Sequence, residues 1–150
     1  MRKNKKDFYQ LGDAGRILHY DGRIQRIMDL ARRMAYNSDH EDFRHGAVLV
    51  RGHNVINVSF NKNSFCSFGS RFRQMEGMQG NATVHAEIGV ILGLDRSITD
   101  GATVYVCRVG KGGDFRLSRP CAMCYHAMKH VGVRKVVWSI DDETCGCYKL

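Results

Sequence analysis

The chain has 150 residues, of which 43% are hydrophobic and 25% charged, as is typical of one globular domain. No apolar run reaches the ~18 residues that a membrane-spanning helix needs, so no membrane partner is expected. The basic start, Met1–Asp7, lacks the apolar core of a secretory signal, and we therefore expect a cytoplasmic protein. The formal net charge of +8 favours anionic partners, and a nucleotide phosphate or a nucleic-acid backbone would satisfy it.

The first third of the chain predicts a leader, a helix and a hairpin. Residues 1–22 have no sustained hydrophobic period and are predicted to form a basic leader. Residues 23–36 are predicted to be a helix, because their apolar positions recur at helical spacing and should pack in the core. These positions are Ile24, Ile27, Met28, Ala31, Met34 and Ala35. After a polar break, residues 46–51 and 54–60 predict two strands that form an antiparallel hairpin.

Residues 61–84 form a long polar and aromatic connection without a clear period. Connections of this length inside a compact domain tend to be functional, so we expect a loop that walls a ligand pocket. Its phenylalanines, Phe65, Phe68 and Phe72, either face that pocket or anchor the loop to the core.

The second half of the chain alternates between helices and strands. The predicted elements are a helix at 85–94, a strand at 102–109, a helix at 121–131 and a strand at 133–140. In the first helix, Ile88, Ile91 and Leu92 should face the sheet, and a further strand fits residues 145–150. This alternation predicts an α/β layered fold, and its sheet must be mixed because the first hairpin is antiparallel.

Three side chains have the chemistry of a zinc site with an open position. Cys121 and Cys124 lie three residues apart, so they share one face at the start of a helix. The partial positive charge of that helix end favours their thiolate forms. His85, at the start of a separate helix, would be the third ligand to Zn²⁺ and would leave one position for water.

Glu87 decides whether such a site is catalytic. It lies two residues beyond His85, close enough to move protons to and from a water molecule without binding the metal. The alternative is a solvated glutamate at a helix start, where carboxylates are favoured. Taken alone, Cys121 and Cys124 also fit a redox pair or half of a zinc finger.

Together, His85-Ala86-Glu87 and Pro120-Cys121-Ala122-Met123-Cys124 match the His-x-Glu and Pro-Cys-x-x-Cys segments of nucleobase deaminases. Over about residues 23–140 the chain resembles the cytidine and deoxycytidylate deaminase-like superfamily, with fainter similarity to tRNA adenosine deaminases. The resemblance implies a three-layer cytidine deaminase-like fold with a mixed central β-sheet of five strands flanked by helices. It also implies a single zinc-dependent deaminase domain at residues 23–150 and a homo-oligomer.

The resemblance further suggests three substrate contacts. Asn61 corresponds to an asparagine that resembles a sugar-hydroxyl ligand, although it could equally cap its loop. The backbone N–H of Ala86 could hold a base carbonyl, and Tyr125 either faces the pocket or packs in the core. Gly89 and Arg119 depart from the relatives, since many deoxycytidylate deaminases have asparagine at the first position and tRNA adenosine enzymes usually have glutamate at the second.

The function expected first is zinc-dependent hydrolytic deamination of a cytosine nucleoside or nucleotide, cytidine-like or dCMP-like, to the uracil product and ammonia. A polynucleotide deaminase, acting on tRNA adenosine or on cytosine in single-stranded DNA or RNA, is the alternative. A more remote alternative is an inactive zinc-stabilised binding module, against which the presence of Glu87 argues.

Four cysteines lie outside the motif, and without an export signal we expect them to be reduced. Cys107 falls in a strand and should be a small core residue. Cys145 and Cys147 could contribute to a second metal site, and the sequence assigns no role to Cys66.

Overall fold

A computed structural model describes residues 15–77, 80 and 82–150. The strands in chain order are β1 (Arg16–His19), β2 (Arg44–Arg51), β3 (Asn54–Phe60), β4 (Lys62–Phe65), β5 (Thr83–Val84), β6 (Thr103–Val109), β7 (Phe115–Arg116), β8 (Lys135–Ser139) and β9 (Thr144–Lys149). The helices are α1 (Gly22–Ala35), α2 (Ser67–Met75), α3 (Ala86–Ile91), α4 (Arg96–Thr99) and α5 (Ala122–His130). No helix in this part of the chain is both long and apolar enough to cross a membrane.

The main sheet has seven strands in the order β1-β9-β8-β6-β2-β3, with β7 beside β6. Strands β6 and β8 are parallel, whereas the other neighbours in this sheet are antiparallel. One face packs on α1, and the other packs on α3 and α5. The chain therefore has the predicted three-layer α/β architecture with a mixed sheet.

Helix α1 confirms four of the six predicted core positions, whereas Ile24 and Met34 are only partly buried. The Asp21 carboxylate accepts a hydrogen bond from the Ile24 N–H at 2.7 Å and caps the helix start. Four apolar side chains are buried, namely Ile27, Met28, Ala31 and Ala35. The helix lies close to β2 because Gly46 has no side chain, and a Cβ there would overlap the Ala31 carbonyl.

The end of the predicted leader belongs to the sheet. Residues Arg16–His19 form β1, which pairs antiparallel with β9, so this part of the predicted leader is ordered. The pairing was not visible in the sequence because it joins segments more than 120 residues apart. Residues 1–14 of the predicted leader lie outside the described residues. The strand expected at 145–150 is present as β9, and β1 and β7 enlarge the sheet beyond the expected five strands.

The prediction that 61–84 lacks regular structure was wrong. Strands β4 and β5 pair with each other, and α2 lies between them in the chain. The Cys66 thiol accepts a hydrogen bond from the Gly69 N–H and caps α2, which gives Cys66 a role. Phe72 is buried next to Phe68, with ring centroids 5.0 Å apart. A helix of about two turns that contains a glycine gives too weak a period to detect.

The helix predicted at 85–94 is shorter than expected. Helix α3 ends at Ile91, and Gly93 adopts a positive φ of 75° just beyond it. Ile88 and Ile91 are buried as predicted, but Leu92 is 43% exposed and does not face the sheet. Two short elements, α4 and β7, were not predicted.

Candidate active site

His85, Cys121 and Cys124 converge at the ends of two helices. His85 directly precedes α3, and Cys121 directly precedes α5, so each lies at the N-cap. The His85 Nδ1 atom lies 3.7 Å from the Cys121 Sγ and 3.3 Å from the Cys124 Sγ. All three ligand atoms lie within 4.8 Å of one another.

This donor set fits Zn²⁺. Tetrahedral zinc bonds of about 2.3 Å to sulfur and about 2.0–2.1 Å to nitrogen separate the two ligand atoms by about 3.5 Å, close to the observed distances. Three protein ligands leave the fourth position open, as in catalytic zinc sites. Among the described residues, Cys145 and Cys147 belong to no such group of three ligands, so no second metal site is found there.

The thiols are electrostatically distinct without metal. Hydrogen bonds with Cys124 and His85 lower the pKa of the Cys121 thiol to about 4. Burial raises the pKa of the Cys124 thiol, and the hydrogen bond to Cys121 raises the pKa of the His85 ring. A metal ion would displace protons from these groups on binding, because thiols and imidazole bind metal only in their deprotonated forms.

Glu87 lies in the first turn of α3, beside the ligands. Its side chain is only 5% exposed, which rules out the solvated glutamate considered above. Burial raises the pKa of its carboxyl because the charged form loses hydration, whereas the neighbouring His85 acts in the opposite direction. A carboxyl with a raised pKa is suited to accept and donate protons near neutral pH.

A cavity of about 280 Å³ opens onto this cluster. Of the residues predicted for the site, His85, Ala86, Glu87, Cys121 and Asn61 all line it. Cys124 lies behind them and is fully buried. The structure therefore brings together the predicted metal ligands, the predicted acid–base group and two of the three predicted substrate contacts.

Asn61 follows β3, and its side chain connects the end of that strand to the backbone of Phe43 and His45. Its side-chain oxygen accepts a hydrogen bond from the His45 N–H at 2.9 Å, and its amide nitrogen donates to the Phe43 carbonyl at 2.7 Å. These bonds reach the segment before β2 and not Asn61's own loop, so Asn61 has a structural role other than the loop cap considered from the sequence. Because an amide has a second N–H and a second lone pair, these bonds leave capacity for a ligand.

Ala86 and Tyr125 occupy different environments. Ala86 is fully buried at the floor of the cavity, and as the first residue of α3 its N–H has no acceptor within the helix. Tyr125 is not one of the lining residues. Its ring packs against Tyr148 at a centroid distance of 5.3 Å and an interplanar angle of 69°, as the packing alternative predicts.

Several lining residues were not assigned to the site from the sequence. They are His40, Phe43, His45, Lys62, Thr83, Ser118 and Arg119. They come from separate loops and strands, and this explains why no local spacing connects them. One signal was available for Phe43, which is the single apolar residue in the polar segment 37–44.

A buried hydroxyl pair fixes the segment that leads into Cys121. The Ser118 and Ser139 hydroxyls lie 2.8 Å apart, and Ser118 also donates to the Val106 carbonyl at 3.0 Å. These bonds tie residue 118 to the middle of β6 and to the end of β8. Arg119 follows, with its guanidinium 5.7 Å from the Trp138 ring centroid. The contacts of Ser118 with β6 and β8 thus fix the position from which Arg119 and Cys121 enter the cavity.

Comparison with known proteins identifies the family. The model described as the cytidine and deoxycytidylate deaminase zinc-binding region matches residues 22–140. The chain therefore belongs to the cytidine and deoxycytidylate deaminase family, and it is a zinc-dependent deaminase.

One solved structure supports the fold, and two further matches are weaker. The apo crystal structure of dCMP deaminase from the cyanophage S-TIM5 matches with a TM-score of 0.54 and 19% identity, covering 78% of this chain and 82% of the phage chain. Two crystal forms of RibD from Acinetobacter baumannii match at 20% identity with TM-scores of 0.44 and 0.42, covering 78% of this chain. The matches cover 27% and 26% of the RibD chains. A comparison with curated protein sequences gives no significant match.

Proposed function

We propose that this enzyme catalyses the hydrolytic deamination of a cytosine nucleoside or nucleotide, of the cytidine or dCMP type, to the uracil product and ammonia. The observation that carries the proposal is the buried Glu87 carboxyl beside His85, Cys121 and Cys124 at the floor of a cavity. A purely structural zinc site requires its ligands but no buried acid–base group.

The chain's own residues divide the chemistry. Zinc, when bound, supplies the acidity that turns a water molecule into a nucleophile near neutral pH. The Glu87 carboxylate accepts a proton from the water and delivers protons to the ring nitrogen and to the departing amine. The Ala86 N–H donates to the base carbonyl and orients the ring, and the free capacity of the Asn61 amide serves a sugar hydroxyl.

The charge of the cavity wall favours a nucleotide over a neutral nucleoside. Lys62 and Arg119 both line the cavity, and the lining residues include Glu87 as the one carboxylate. Because Glu87 lies at the buried floor, a substrate phosphate near the mouth would meet cations. Self-association, which the resemblance implies, is also part of the proposal and would be measured by sedimentation.

A polynucleotide substrate is the second candidate. Phe65 is 63% exposed on β4 and pairs with Thr83, which lines the cavity, and Leu117 is 56% exposed next to Ser118. Exposed aromatic side chains such as Phe65, beside cations, are typical of surfaces that bind single strands. Strand binding would weaken steeply with salt, whereas turnover of a mononucleotide would depend much less on salt.

The experiment is ammonia release by zinc-loaded protein. The substrates are cytosine, cytidine, deoxycytidine, CMP, dCMP, adenosine and short single strands, each at low and high salt. Turnover of a small cytosine compound supports the first candidate. Activity on strands alone supports the second, and a zinc-loaded protein that is inactive on every substrate contradicts both.

Glu87→Gln provides the matched control for the mechanism. The variant keeps the size and hydrogen-bonding capacity of the side chain but cannot accept a proton as a carboxylate does. We expect zinc content to stay at the wild-type level and kcat to fall by about 10²–10⁴-fold or more. Wild-type activity in a zinc-loaded Glu87→Gln protein would remove Glu87 from the mechanism.

A further inference from the structure

Helix α1 presents a row of arginines to solvent, on the opposite side of the sheet from α3 and α5. Arg23, Arg26 and Arg33 are exposed, whereas the apolar stripe of the helix packs on the sheet. With about 3.6 residues and 5.4 Å per turn, these positions fall within about 80° of one another around the helix and span about 15 Å along it. We call these three residues the α1 arginine row.

Neighbouring side chains do not neutralise the row. Among the described residues, no carboxylate forms an ion pair with any of its three members. The one acidic residue within α1, Asp29, is paired with Arg32 at 2.8 Å. Arg23 donates to the Gly52 carbonyl at 2.7 Å, and this bond uses only one of the roughly five N–H donors of a guanidinium. The row therefore presents uncompensated positive charge on a rigid helix.

Two of these arginines are placed unfavourably for the helix itself. Arg23 lies in the first turn of α1 and Arg26 just beyond it, and the first turn contains no acidic residue. The N-terminal end of a helix carries a partial positive charge, so cations are disfavoured there and favoured in the last turn. Helix stability thus accounts for Arg32 and Arg33, but it does not account for Arg23 and Arg26.

A second cavity, of about 390 Å³, adjoins the row along the N-terminal half of α1. Its walls carry Arg23, Arg26 and His53, and none of its lining residues is acidic. The other lining residues are aliphatic, namely Ile27, Leu30, Val50 and Val55. A ligand that fits this surface has negative charges spaced along its length and less polar groups between them.

The sequence concentrates positive charge at this end of the chain. Residues 1–33 contain nine lysines and arginines and four aspartates, so they carry +5 of the net charge of +8. Such a concentration of charge raises the rate at which an extended anion is captured.

We propose that the α1 arginine row, together with the second cavity, binds the phosphodiester backbone of a nucleic acid. Helix α1 contains four arginines and no lysine, and the planar guanidinium of arginine can donate two parallel hydrogen bonds to one phosphate. A lipid surface fits less well, because a helix that lies on a membrane inserts apolar side chains and α1 packs its own in the core. The inference does not depend on which compound fills the catalytic cavity.

The test measures binding of a thymidine oligonucleotide of about 20 nucleotides to the zinc-loaded full chain, by fluorescence anisotropy at a series of salt concentrations. Thymine has no exocyclic amine, so the probe cannot be deaminated. The test variant replaces all three residues of the α1 arginine row with glutamine. The control removes the same charge from exposed positions on or next to α5, β8 and β9. Its substitutions are Lys129→Gln, Arg134→Gln and Lys149→Gln.

We expect the wild-type association constant to fall steeply with salt. Each phosphate contact on a single strand contributes about 0.7 to the slope of log K against log salt, so loss of the row should reduce that slope by about 2. The control should keep the wild-type slope. The Tm of the test variant should be no lower than that of wild type, because two of the replaced charges oppose the helix dipole.

Equal slopes for the test variant and the control would overturn the proposal, as would a wild-type protein that does not bind the oligonucleotide at low salt. Vesicles of phosphatidylserine and phosphatidylcholine test the competing partner. Binding to these vesicles that depends on the row, without binding to the oligonucleotide, would also overturn the nucleic-acid assignment. Oligonucleotide binding that depends on the row, in a protein that releases no ammonia from any substrate, would support this inference and remove the proposed function.

Discussion

His45 shows how one partly buried side chain organises the cavity wall. Its ring nitrogen Nδ1 lies 3.2 Å from the Phe43 carbonyl, and its backbone N–H donates to Asn61. Burial lowers the pKa of the His45 ring to about 4, and the nearby Arg108 charge acts in the same direction. The ring is therefore neutral at physiological pH and donates from Nδ1 to the carbonyl.

This lowered pKa predicts an acid-dependent loss of stability. Above pH 6.5, His45 is neutral in both the folded and the unfolded states. As the pH falls from 6.5 to about 4, the unfolded state binds a proton that the folded state does not, so the free energy of unfolding decreases. The loss reaches about 3 kcal/mol near pH 4 and then stays constant.

The comparison is denaturant unfolding of wild-type protein and His45→Asn, both without metal, between pH 4 and 7.5. Asparagine keeps a donor near the position of Nδ1 but does not titrate. The other titratable groups are present in both proteins, so the difference isolates the contribution of His45. Parallel curves for the two proteins across this range would show that His45 carries no such penalty.

The zinc ligands and Glu87 could be predicted because their spacing is local. Cys121 and Cys124 share a helix turn, and His85 and Glu87 flank Ala86 at another helix start. Phe43 and Ser118 could not be assigned, because they reach the cavity through pairing between strands that are distant in the sequence. For Tyr125 the local sequence was misleading. It directly follows Cys124, but its ring packs against Tyr148 and does not line the cavity.

At the scale of helices and strands, the packing of α3 on β3 determines where His85 and Glu87 lie. The Asn57 amide donates to the Val90 carbonyl at 3.1 Å, which ties the helix to the strand. Gly89 faces Ser59, and a Cβ at position 89 would overlap the Ser59 hydroxyl. The asparagine that many deoxycytidylate deaminases carry at this position therefore has no room here.

Gly89→Asn should push α3 away from β3. We expect the free energy of unfolding to fall by about 1–3 kcal/mol, as is usual for overpacked sites, and turnover to fall with it. Gly112→Asn is the matched control, because the nearest atom to a Cβ there is at 3.7 Å and no strain is introduced. The double variant Ser59→Gly/Gly89→Asn should recover part of the loss. A Gly89→Asn protein as stable and active as wild type would contradict the tight contact.

The helices and strands that could be predicted from the sequence are those whose hydrophobic pattern repeats most often. Helix α1 and the β2–β3 hairpin were predicted because their apolar positions repeat several times. Helix α2 was missed because Gly69 and Ser70 interrupt a pattern that spans nine residues. Strand β1 was missed because its burial is slight and its partner β9 lies at the other end of the chain.

At the scale of the whole molecule, a bound zinc ion would link two helices of the domain. The ligands on α3 and α5 come from segments that are 36 residues apart, so a shared ion joins two helices on the same sheet face. Free zinc at about 1,000 times its dissociation constant would stabilise the fold by about 4 kcal/mol. For a domain of this length, that corresponds to a rise in Tm of roughly 10 °C.

Thermal unfolding with zinc and with a chelator measures this effect. We expect the Tm of the wild-type protein to fall on chelation and that of Cys121→Ser to be the same in both conditions. Cys107→Ser is a useful comparison, since Cys107 is buried on the opposite face and should leave the zinc dependence intact. Identical Tm values for wild type with and without metal would show that zinc does not couple the helices.

The sheet separates two hydrophobic cores that share no side chain. The core beneath α3 and α5 includes Ala86 and Cys121, which line the cavity. The core beneath α1 includes none of the residues that line the cavity. Engineering for higher stability usually conflicts with activity when both draw on the same residues. Here the α1 side offers a place for cavity-filling substitutions that leave the catalytic face untouched.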